Sequence, residues 1–165
     1  MPSTNPPPFV LAAYYWSPYL TLAVLCGERV IETVCRRVTR NKRTLAATER
    51  CFRVLVNDYA PTHIVVPPIL ALDEAARRTG LPTVMMNLSV AKSCLTGSRL
   101  TTNRDLYRFL VARFPELRCL VTVLVGNGDV AATEPWRTAQ LLPIALGLAV
   151  QRLSTERTTE EGKHS

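Results

Sequence analysis

The sequence predicts a single α/β domain in which helices flank a mixed β-sheet. Three observations support this fold class. Three consecutive β-prone apolar runs, joined by short turns, occupy residues 9–38. After residue 43, helical patterns alternate with short apolar strands, an order typical of βα units in a sheet covered by helices. The length of 165 residues suits one domain with one core.

The first three strands form a predicted meander. They are Phe9–Tyr15, Leu20–Cys26 and Val30–Val38, each rich in apolar or β-branched residues. Turns at Ser17-Pro18 and at Gly27–Arg29 are too short for anything but hairpin connections. We therefore expect the second strand to be antiparallel to both the first and the third.

Two predicted βα units follow a basic connection. Helical spacing of apolar residues predicts a helix over Thr44–Tyr59, which Pro61 ends. The continuous apolar run Thr62–Val66 is typical of a strand that is buried on both faces and lies parallel to the first. A helix over Ile69–Thr79 and a strand over Thr83–Met86 come next, separated by the helix-ending sequence Gly80-Leu81-Pro82.

The last third of the chain is mostly helical in pattern. Thr101–Phe114 is an amphipathic helix, with Thr102 or Asn103 as its cap. The apolar run Leu117–Val125 fits either a strand or the buried part of a helix. The predicted remaining segments are a short helical or irregular stretch at Val90–Leu95 and a final helix at Pro135–Leu153, which Pro143 and Gly147 interrupt.

Composition and local patterns limit the classes of protein to which this chain can belong. Residues 1–8 are expected to be a disordered lead-in, residues 9–153 the single domain, and residues 154–165 a flexible polar tail. No apolar run is long enough to span a membrane, and the first ten residues do not resemble a signal peptide. Five scattered cysteines with no C-x-x-C pair indicate reduced thiols and a cytoplasmic protein. A zinc site is not expected with two histidines, and His63 fits the edge of a strand.

The chain is basic, with a formal net charge of +7, which favours polyanionic partners. Two groups of basic residues are candidates for phosphate contacts, although a solvated surface would explain them equally well. One group surrounds the end of the third strand, and the other lies around the amphipathic helix. Their members are Arg36, Arg37, Arg40, Lys42 and Arg43 in the first group, and Arg99, Arg104 and Arg108 in the second.

The stretch from Gly80 to Gly97, GLPTVMMNLSVAKSCLTG, carries a family resemblance. A G-L-P strand that runs into a lysine-bearing segment closing with Thr-Gly resembles RuvC-like Holliday junction resolvases. Lys92, Thr96 and Gly97 fall at that family's spacing, and the strand and helix order agrees over roughly residues 9–153. The resemblance implies a ribonuclease H-like fold, DNA as the partner, and nucleic-acid contacts at Lys92, Thr96 and Gly97. A solvated lysine and a simple loop are the structural alternatives.

The resemblance also implies a two-magnesium site held by three or four carboxylates. Tyr14 stands where the first carboxylate is expected, and Pro67 stands about where the second is expected. Asp129 and Glu134 are the weak remaining candidates near the final helix, although a turn residue and a helix-dipole partner explain them as well. The aromatic residues around Tyr14, namely Tyr15, Trp16 and Tyr19, fit either base stacking or a partly buried strand end.

These features predict a nucleic-acid-binding domain without a catalytic site or cofactor, acting as a DNA-binding or scaffold subunit in a DNA-processing assembly. Two alternatives stay open. A divergent magnesium-dependent endonuclease would take its carboxylates from unusual positions such as Asp129 and Glu134. A purely structural subunit would instead use its apolar surface to hold a protein partner or a second copy of the chain.

Overall fold

The computed structural model describes residues 6–38, 43–120, 122–123, 130–131 and 135–161. The strands are β1 (Phe9–Trp16), β2 (Tyr19–Cys26), β3 (Arg29–Arg37), β4 (His63–Val66), β5 (Thr83–Met85), β6 (Thr122–Val123) and β7 (Val130–Ala131). The α-helices are α1 (Arg43–Tyr59), α2 (Leu70–Arg77), α3 (Leu88–Thr96), α4 (Asn103–Arg113), α5 (Pro135–Ala139) and α6 (Leu141–Glu161), and a 3₁₀ helix spans Pro115–Leu120. No helix in this part of the chain is both long and apolar enough to cross a membrane.

The main sheet has the order β3-β2-β1-β4-β5 within the described residues. β2 is antiparallel to β1 and β3, and β4 is parallel to β1 and β5. The predicted mixed sheet and its strand directions are therefore confirmed. β6 and β7 form a separate antiparallel pair.

Alternating residues of the strands build two apolar layers, one on each face of the sheet. Val10 and Ala12 of β1 face α3, α4 and α6, whereas Leu11 and Ala13 face α1 and α2. This alternation follows from the two-residue period of a strand. α6 lies against the centre of the sheet because Gly147 leaves room for Leu25 and Ala12.

Two segments differ from the sequence prediction. Leu117–Val125 is neither one strand nor one buried helix, because its first residues belong to the 3₁₀ helix and a two-residue strand follows at Thr122–Val123. The predicted final helix is divided at Gln140 and continues to Glu161 instead of ending at Leu153. Pro143 does not interrupt it, because Pro143 lies in the first turn of α6, where the missing N–H has no intrahelical acceptor.

His63 begins β4 and is partly buried at the end of the sheet. Burial lowers the pKa of its imidazole from the usual 6.5. As the pH falls through 6.5, the unfolded chain therefore takes up the proton before the folded chain does, and folding stability decreases. We expect His63→Gln to make the free energy of unfolding less dependent on pH just below 6.5, as measured by urea denaturation at a series of pH values. Equal pH dependence in the two proteins would contradict this.

Candidate nucleic-acid interface

One edge of the main sheet collects the ends of several strands. β1, β4 and β5 are parallel, so their carboxyl ends meet at this edge, and β3 ends there too because Arg37 pairs with Tyr19 at the start of β2. The β1–β2 turn is tied to the end of β3 by the Val38 amide, which donates to Pro18 O at 2.7 Å. We call this the carboxyl edge. The two positions at which the resemblance implies carboxylates, Tyr14 and Pro67, lie at this edge.

Tyr14 lies on β1 close to the carboxyl edge and is half-buried. Burial raises the pKa of its phenol, which is therefore neutral at pH 7. β4 ends at Val66, and the buried Pro67 follows it directly. The two positions that the resemblance assigns to carboxylates thus carry a neutral phenol and a proline ring.

Hydroxyl groups tie the α5–α6 junction to the sheet beside Tyr14. The hydroxyl of the fully buried Thr21 lies 3.2 Å from Tyr14 O and 3.1 Å from Ala139 O, so both carbonyls are within reach of its one hydrogen. Thr33 donates a 3.0 Å hydrogen bond to Oε1 of the buried Gln140. These contacts place the beginning of α6 at the carboxyl edge.

Tyr107 of α4 approaches from the helical layer. Burial raises the pKa of the Tyr107 phenol, and the nearby Tyr14 raises it further. A hydrogen bond with Thr138 lowers this pKa, although burial has the larger effect. Tyr107 therefore links α4 to both β1 and α5. We call the set formed by Tyr14, Thr21, Thr33, Tyr107, Thr138 and Gln140 the polar cluster. All six of its side chains are neutral.

Sequence reasoning identified Tyr14 but missed the other five members of the polar cluster. Gln140 offers one sequence signal, because it is the last polar residue before the apolar run Leu141–Val150. Thr33 offers none, because its partner is 107 residues away. Asp129 and Glu134 lie outside the described residues. In the described part of the chain, no group of three or more His, Cys, Asp or Glu side chains is arranged to hold a metal ion.

The first basic group lies partly at the carboxyl edge. Arg36 and Arg37 are exposed at the end of β3, beside the β1–β2 turn. The charge of Arg36 also reaches Cys51 of α1, where it opposes the burial that raises the pKa of that thiol. Arg40 and Lys42 lie outside the described residues. Arg43 begins α1, and its side chain is likewise outside them.

The second basic group lies in and before α4. Arg99 and Arg104 are exposed, and Arg108 forms a 3.2 Å ion pair with Asp105. Arg104 and Arg108 flank Tyr107 in sequence, so this part of α4 adjoins the polar cluster. Thr102, rather than Asn103, is the cap of α4, and its hydroxyl accepts a 3.1 Å hydrogen bond from the Asp105 amide.

Lys92, Thr96 and Gly97 all belong to α3 or its end. Lys92 is partly buried on the helix. The Thr96 hydroxyl lies 2.7 Å from Lys92 O and 2.6 Å from the Thr101 hydroxyl. Gly97 ends the helix with φ of +81°, a conformation that favours glycine, and its N–H donates to Ser93 O at 2.9 Å. Thr96 and Gly97 thus have a clear role in ending α3, and their contact with nucleic acid stays a prediction.

Aromatic side chains at the carboxyl edge have different environments. Trp16, the last residue of β1, is 44% exposed. Tyr15 is partly buried and donates a 3.3 Å hydrogen bond to Val38 O. A ring available for stacking is therefore found at Trp16, whereas Tyr15 serves to hold the end of β3.

Comparisons with known proteins give structural matches only. No family model matches the sequence, and no curated protein does. RuvC from Thermus thermophilus is similar over 91% of this chain and 97% of its own, with a TM-score of 0.66 and 13% identity. T. thermophilus RuvC in complex with a Holliday junction substrate gives a TM-score of 0.65 and 13% identity over 90% of this chain and 97% of its own.

A third similar structure is a nuclease of another kind. The large terminase nuclease from the thermophilic phage G20c matches 84% of this chain and 80% of its own, with a TM-score of 0.51 and 12% identity. Identities this low show a shared fold and nothing finer. Together with the strand order and the near-complete coverage of RuvC, the matches establish that this chain has the ribonuclease H-like fold of the RuvC Holliday junction resolvases.

Proposed function

We propose that this chain is a DNA-binding domain of RuvC type that does not cleave DNA and that serves as a DNA-binding or scaffold subunit in a DNA-processing assembly. The observation that carries the proposal is the neutral polar cluster at the carboxyl edge of a RuvC-type sheet, with exposed arginines beside it. The RuvC structures, one of them in complex with a Holliday junction substrate, support DNA as the partner.

The polar cluster does not fit the magnesium ions that the fold family implies. Magnesium is a hard cation that proteins bind through carboxylate oxygens and water. The cluster offers a phenol held neutral at Tyr14, hydroxyl groups that are already hydrogen-bonded, and the amide oxygen of Gln140, which accepts from Thr33. Such a donor set supplies no charge to balance a divalent ion. We therefore propose no cofactor, and DNA binding that proceeds without magnesium.

The same cluster is well suited to holding the interface together. It joins β1, β2, β3, α4 and α5 through buried or half-buried hydrogen bonds, at the place where the family's active site would lie. Polar groups that satisfy one another in this way rigidify a structure without requiring a ligand. Arg36, Arg37 and the exposed Trp16 then lie on a fixed frame, where they can contact phosphates and stack on bases.

The test is the salt dependence of DNA binding by the full chain. Fluorescence anisotropy with four-way junction, duplex and single-stranded DNA, with and without magnesium, gives the affinity at each salt concentration. The slope of log affinity against log salt concentration reports the number of phosphates that the protein neutralises. If Arg36 and Arg37 each neutralise one duplex phosphate, the double variant Arg36→Gln/Arg37→Gln should make this slope less steep by about 1.8. Arg104 and Arg108 are a less suitable first choice, because Arg108 also pairs with Asp105, so its removal changes an ion pair within α4 as well as the surface charge.

A matched control separates local contacts from overall charge. Arg53→Gln/Arg118→Gln also lowers the net charge from +7 to +5, at two exposed positions on α1 and the 3₁₀ helix. The control should keep the wild-type slope. Equal flattening in both variants, or no binding by the wild type at low salt, would overturn the assignment and favour the structural-subunit alternative. Magnesium-dependent cleavage that is lost in Glu134→Ala or Asp129→Ala would show that the chain is a divergent nuclease.

A further inference from the structure

A groove runs along the outer side of the main sheet, between β3 and α1. It exists because α1 packs chiefly on β1 and β2, which lie further inside the sheet. Its volume is about 530 Å³, and Val34, Val38 and Leu55 are among its apolar lining residues. We call it the β3 groove. In the described part of the chain no strand lies beyond β3, so the groove opens at the edge of the sheet.

The backbone of β3 directs hydrogen-bonding groups out of this edge. The Val38 amide donates to Pro18 O, so the backbone of Val38 faces β2. In an antiparallel pair every second residue does the same, and the residues between them direct their N–H and C=O groups the other way. The pairing with β2 is regular over residues 32–37. The outward-facing residues of this segment are therefore Thr33, Cys35 and Arg37.

α1 contributes a stripe of three side chains to the groove. Arg50, Val54 and Asp58 all line it, and they follow one another at intervals of four residues. They therefore share one face of the helix and lie about 6 Å apart along its axis. All three are exposed, and the apolar Val54 is 57% exposed. The stripe presents a cation, an apolar group and an anion to the groove, in that order.

β3 presents the same order of side chains from the other wall. Arg36, Val34 and Glu32 line the groove and alternate with the residues whose backbone faces outward. Their spacing of two residues corresponds to about 6.6 Å along a strand, which nearly equals the spacing of the stripe on α1. The two walls therefore match one another position by position.

The basic residues of both walls meet at one end of the groove. Burial raises the pKa of the Cys51 thiol, and the charges of Arg36 and Arg50 both oppose this shift, so the two arginines lie near the same group. Arg37 lines the same end and is exposed as well. This end of the groove therefore attracts an anionic side chain.

The acidic residues of both walls meet at the other end. The Tyr59 hydroxyl donates to a carboxylate oxygen of Glu32, which raises the pKa of the Tyr59 phenol. The charge of Asp58 raises the same pKa, so both carboxylates lie near Tyr59. The groove thus has a basic end, an apolar middle and an acidic end.

An extended segment of another protein fits this arrangement. A strand added antiparallel to β3 runs from the basic end to the acidic end, and every second side chain of it points towards α1. We propose that the β3 groove binds an extended segment with the pattern acid-x-apolar-x-base. Its two x residues form backbone hydrogen bonds with Cys35 and Thr33, and its other three side chains occupy the basic end, the apolar middle and the acidic end.

A second copy of the chain is the competing occupant, because β3 itself carries this pattern at residues 32–36. Pairing of two β3 strands would place the two β2 strands about 14 Å apart, at three strand spacings. The two α1 helices pack chiefly on β1 and β2, so they would stand further apart than the roughly 8–10 Å at which helices pack. The groove between them would stay unfilled, which favours a separate extended segment.

Nuclear magnetic resonance of the nitrogen-15-labelled full chain with a synthetic peptide tests the proposal. The capped peptide Ser-Asp-Thr-Val-Thr-Lys-Ser carries the pattern. It should bind saturably and slow the hydrogen exchange of the outward-facing Thr33, Cys35 and Arg37 amides. The amides of Val34 and Arg36 should change little, because they already face β2.

Methylation of the peptide backbone provides a control with the same side chains. Methylating the amide nitrogen of either threonine removes a donor to β3 and should weaken binding about tenfold or more. Methylating the amide nitrogen of the central valine should leave binding unchanged, because that N–H points away from β3.

A pair of protein variants tests the charged contact at the basic end. Arg50→Glu and Arg53→Glu both replace an exposed arginine of α1, but only Arg50 lines the β3 groove. Arg50→Glu should weaken peptide binding about fivefold or more, because an attraction becomes a repulsion. It should bind better to a peptide that carries lysine in place of aspartate. Arg53→Glu should bind the original peptide as the wild type does.

Several results would overturn the proposal. They are equal losses in the two arginine variants, equal effects of methylation at threonine and valine, and unchanged exchange of the outward-facing amides. Protection of these amides that appears without peptide as the protein concentration rises would also overturn it, because a second copy would then be the occupant. The groove shares Arg36 with the proposed DNA interface, but these experiments contain no DNA, so their outcome is independent of DNA binding.

Discussion

Replacing Phe52 with alanine is expected to lower the free energy of unfolding by about 3–5 kcal/mol, the cost of truncating a buried aromatic side chain. Phe52 is 0% exposed and lies between α1 and the sheet face formed by Leu11, Leu22 and Ile64. Close packing on all sides prevents the neighbouring residues from filling the space. Urea denaturation followed by circular dichroism measures the change.

Val54 on the same helix provides the control for Phe52. It is 57% exposed, so Val54→Ala should change the free energy of unfolding by less than about 0.5 kcal/mol. If Phe52→Ala proves too unstable to purify, Phe52→Leu should show a smaller loss in the same direction. Similar losses for Phe52→Ala and Val54→Ala would mean that α1 does not pack on the sheet as described.

A Gly147→Val variant should lose about 2–3 kcal/mol of stability through overpacking. A Cβ at position 147 would lie 2.5 Å from Leu25 Cδ1 and 3.4 Å from Ala12 Cβ, so either the Leu25 side chain must leave its position in the packed core or α6 must move away from the sheet. The higher helix propensity of valine relative to glycine is small in comparison. Thr159→Val, at an exposed position of α6, should have little effect in the same urea denaturation experiment.

A second substitution shows whether the contact with Leu25 is responsible. Leu25→Ala alone should destabilise the protein by about 2–5 kcal/mol, because it leaves a cavity. In combination with Gly147→Val, the added valine occupies part of that cavity, so the double variant should be more stable than the sum of the two losses predicts. Strict additivity would show that the two positions do not compete for the same space.

The strands β1 to β4 were predictable because the sequence patterns that specify them lie within the strands and the turns beside them. Each apolar run between Phe9 and Val38 is bounded by a turn of two or three residues, which leaves a hairpin as the only short connection. The buried strand β4 was recognisable from its uninterrupted apolar letters. The segment Leu117–Val125 was not predictable, because a run of apolar residues of that length fits a strand and a buried helix equally well.

The candidate site was only partly predictable, because most of its residues come from parts of the chain that are far apart in sequence. The resemblance placed Tyr14 and Pro67 at the expected carboxylate positions. The partners of Tyr14 come from α4 and α5, far along the chain, and no periodic pattern connects them. A cavity of about 590 Å³ at the other end of the sheet also escaped prediction, because its lining residues His63 and Gln151 are 88 positions apart (151 − 63) in the chain.

The two outer strands of the main sheet are the strands to which another chain could add by backbone hydrogen bonding. Within the described residues β3 and β5 are outermost, and an open strand exposes amide and carbonyl groups that can recruit another chain into a growing fibril. β5 is only three residues long. β3 is longer, but it carries Arg29, Glu32, Arg36 and Arg37, and its pairing with β2 contains an irregularity opposite Val24 and Leu25. Short length at one side, and charge and local distortion at the other, oppose strand-by-strand self-assembly, so the basic residues of β3 also protect the fold against aggregation.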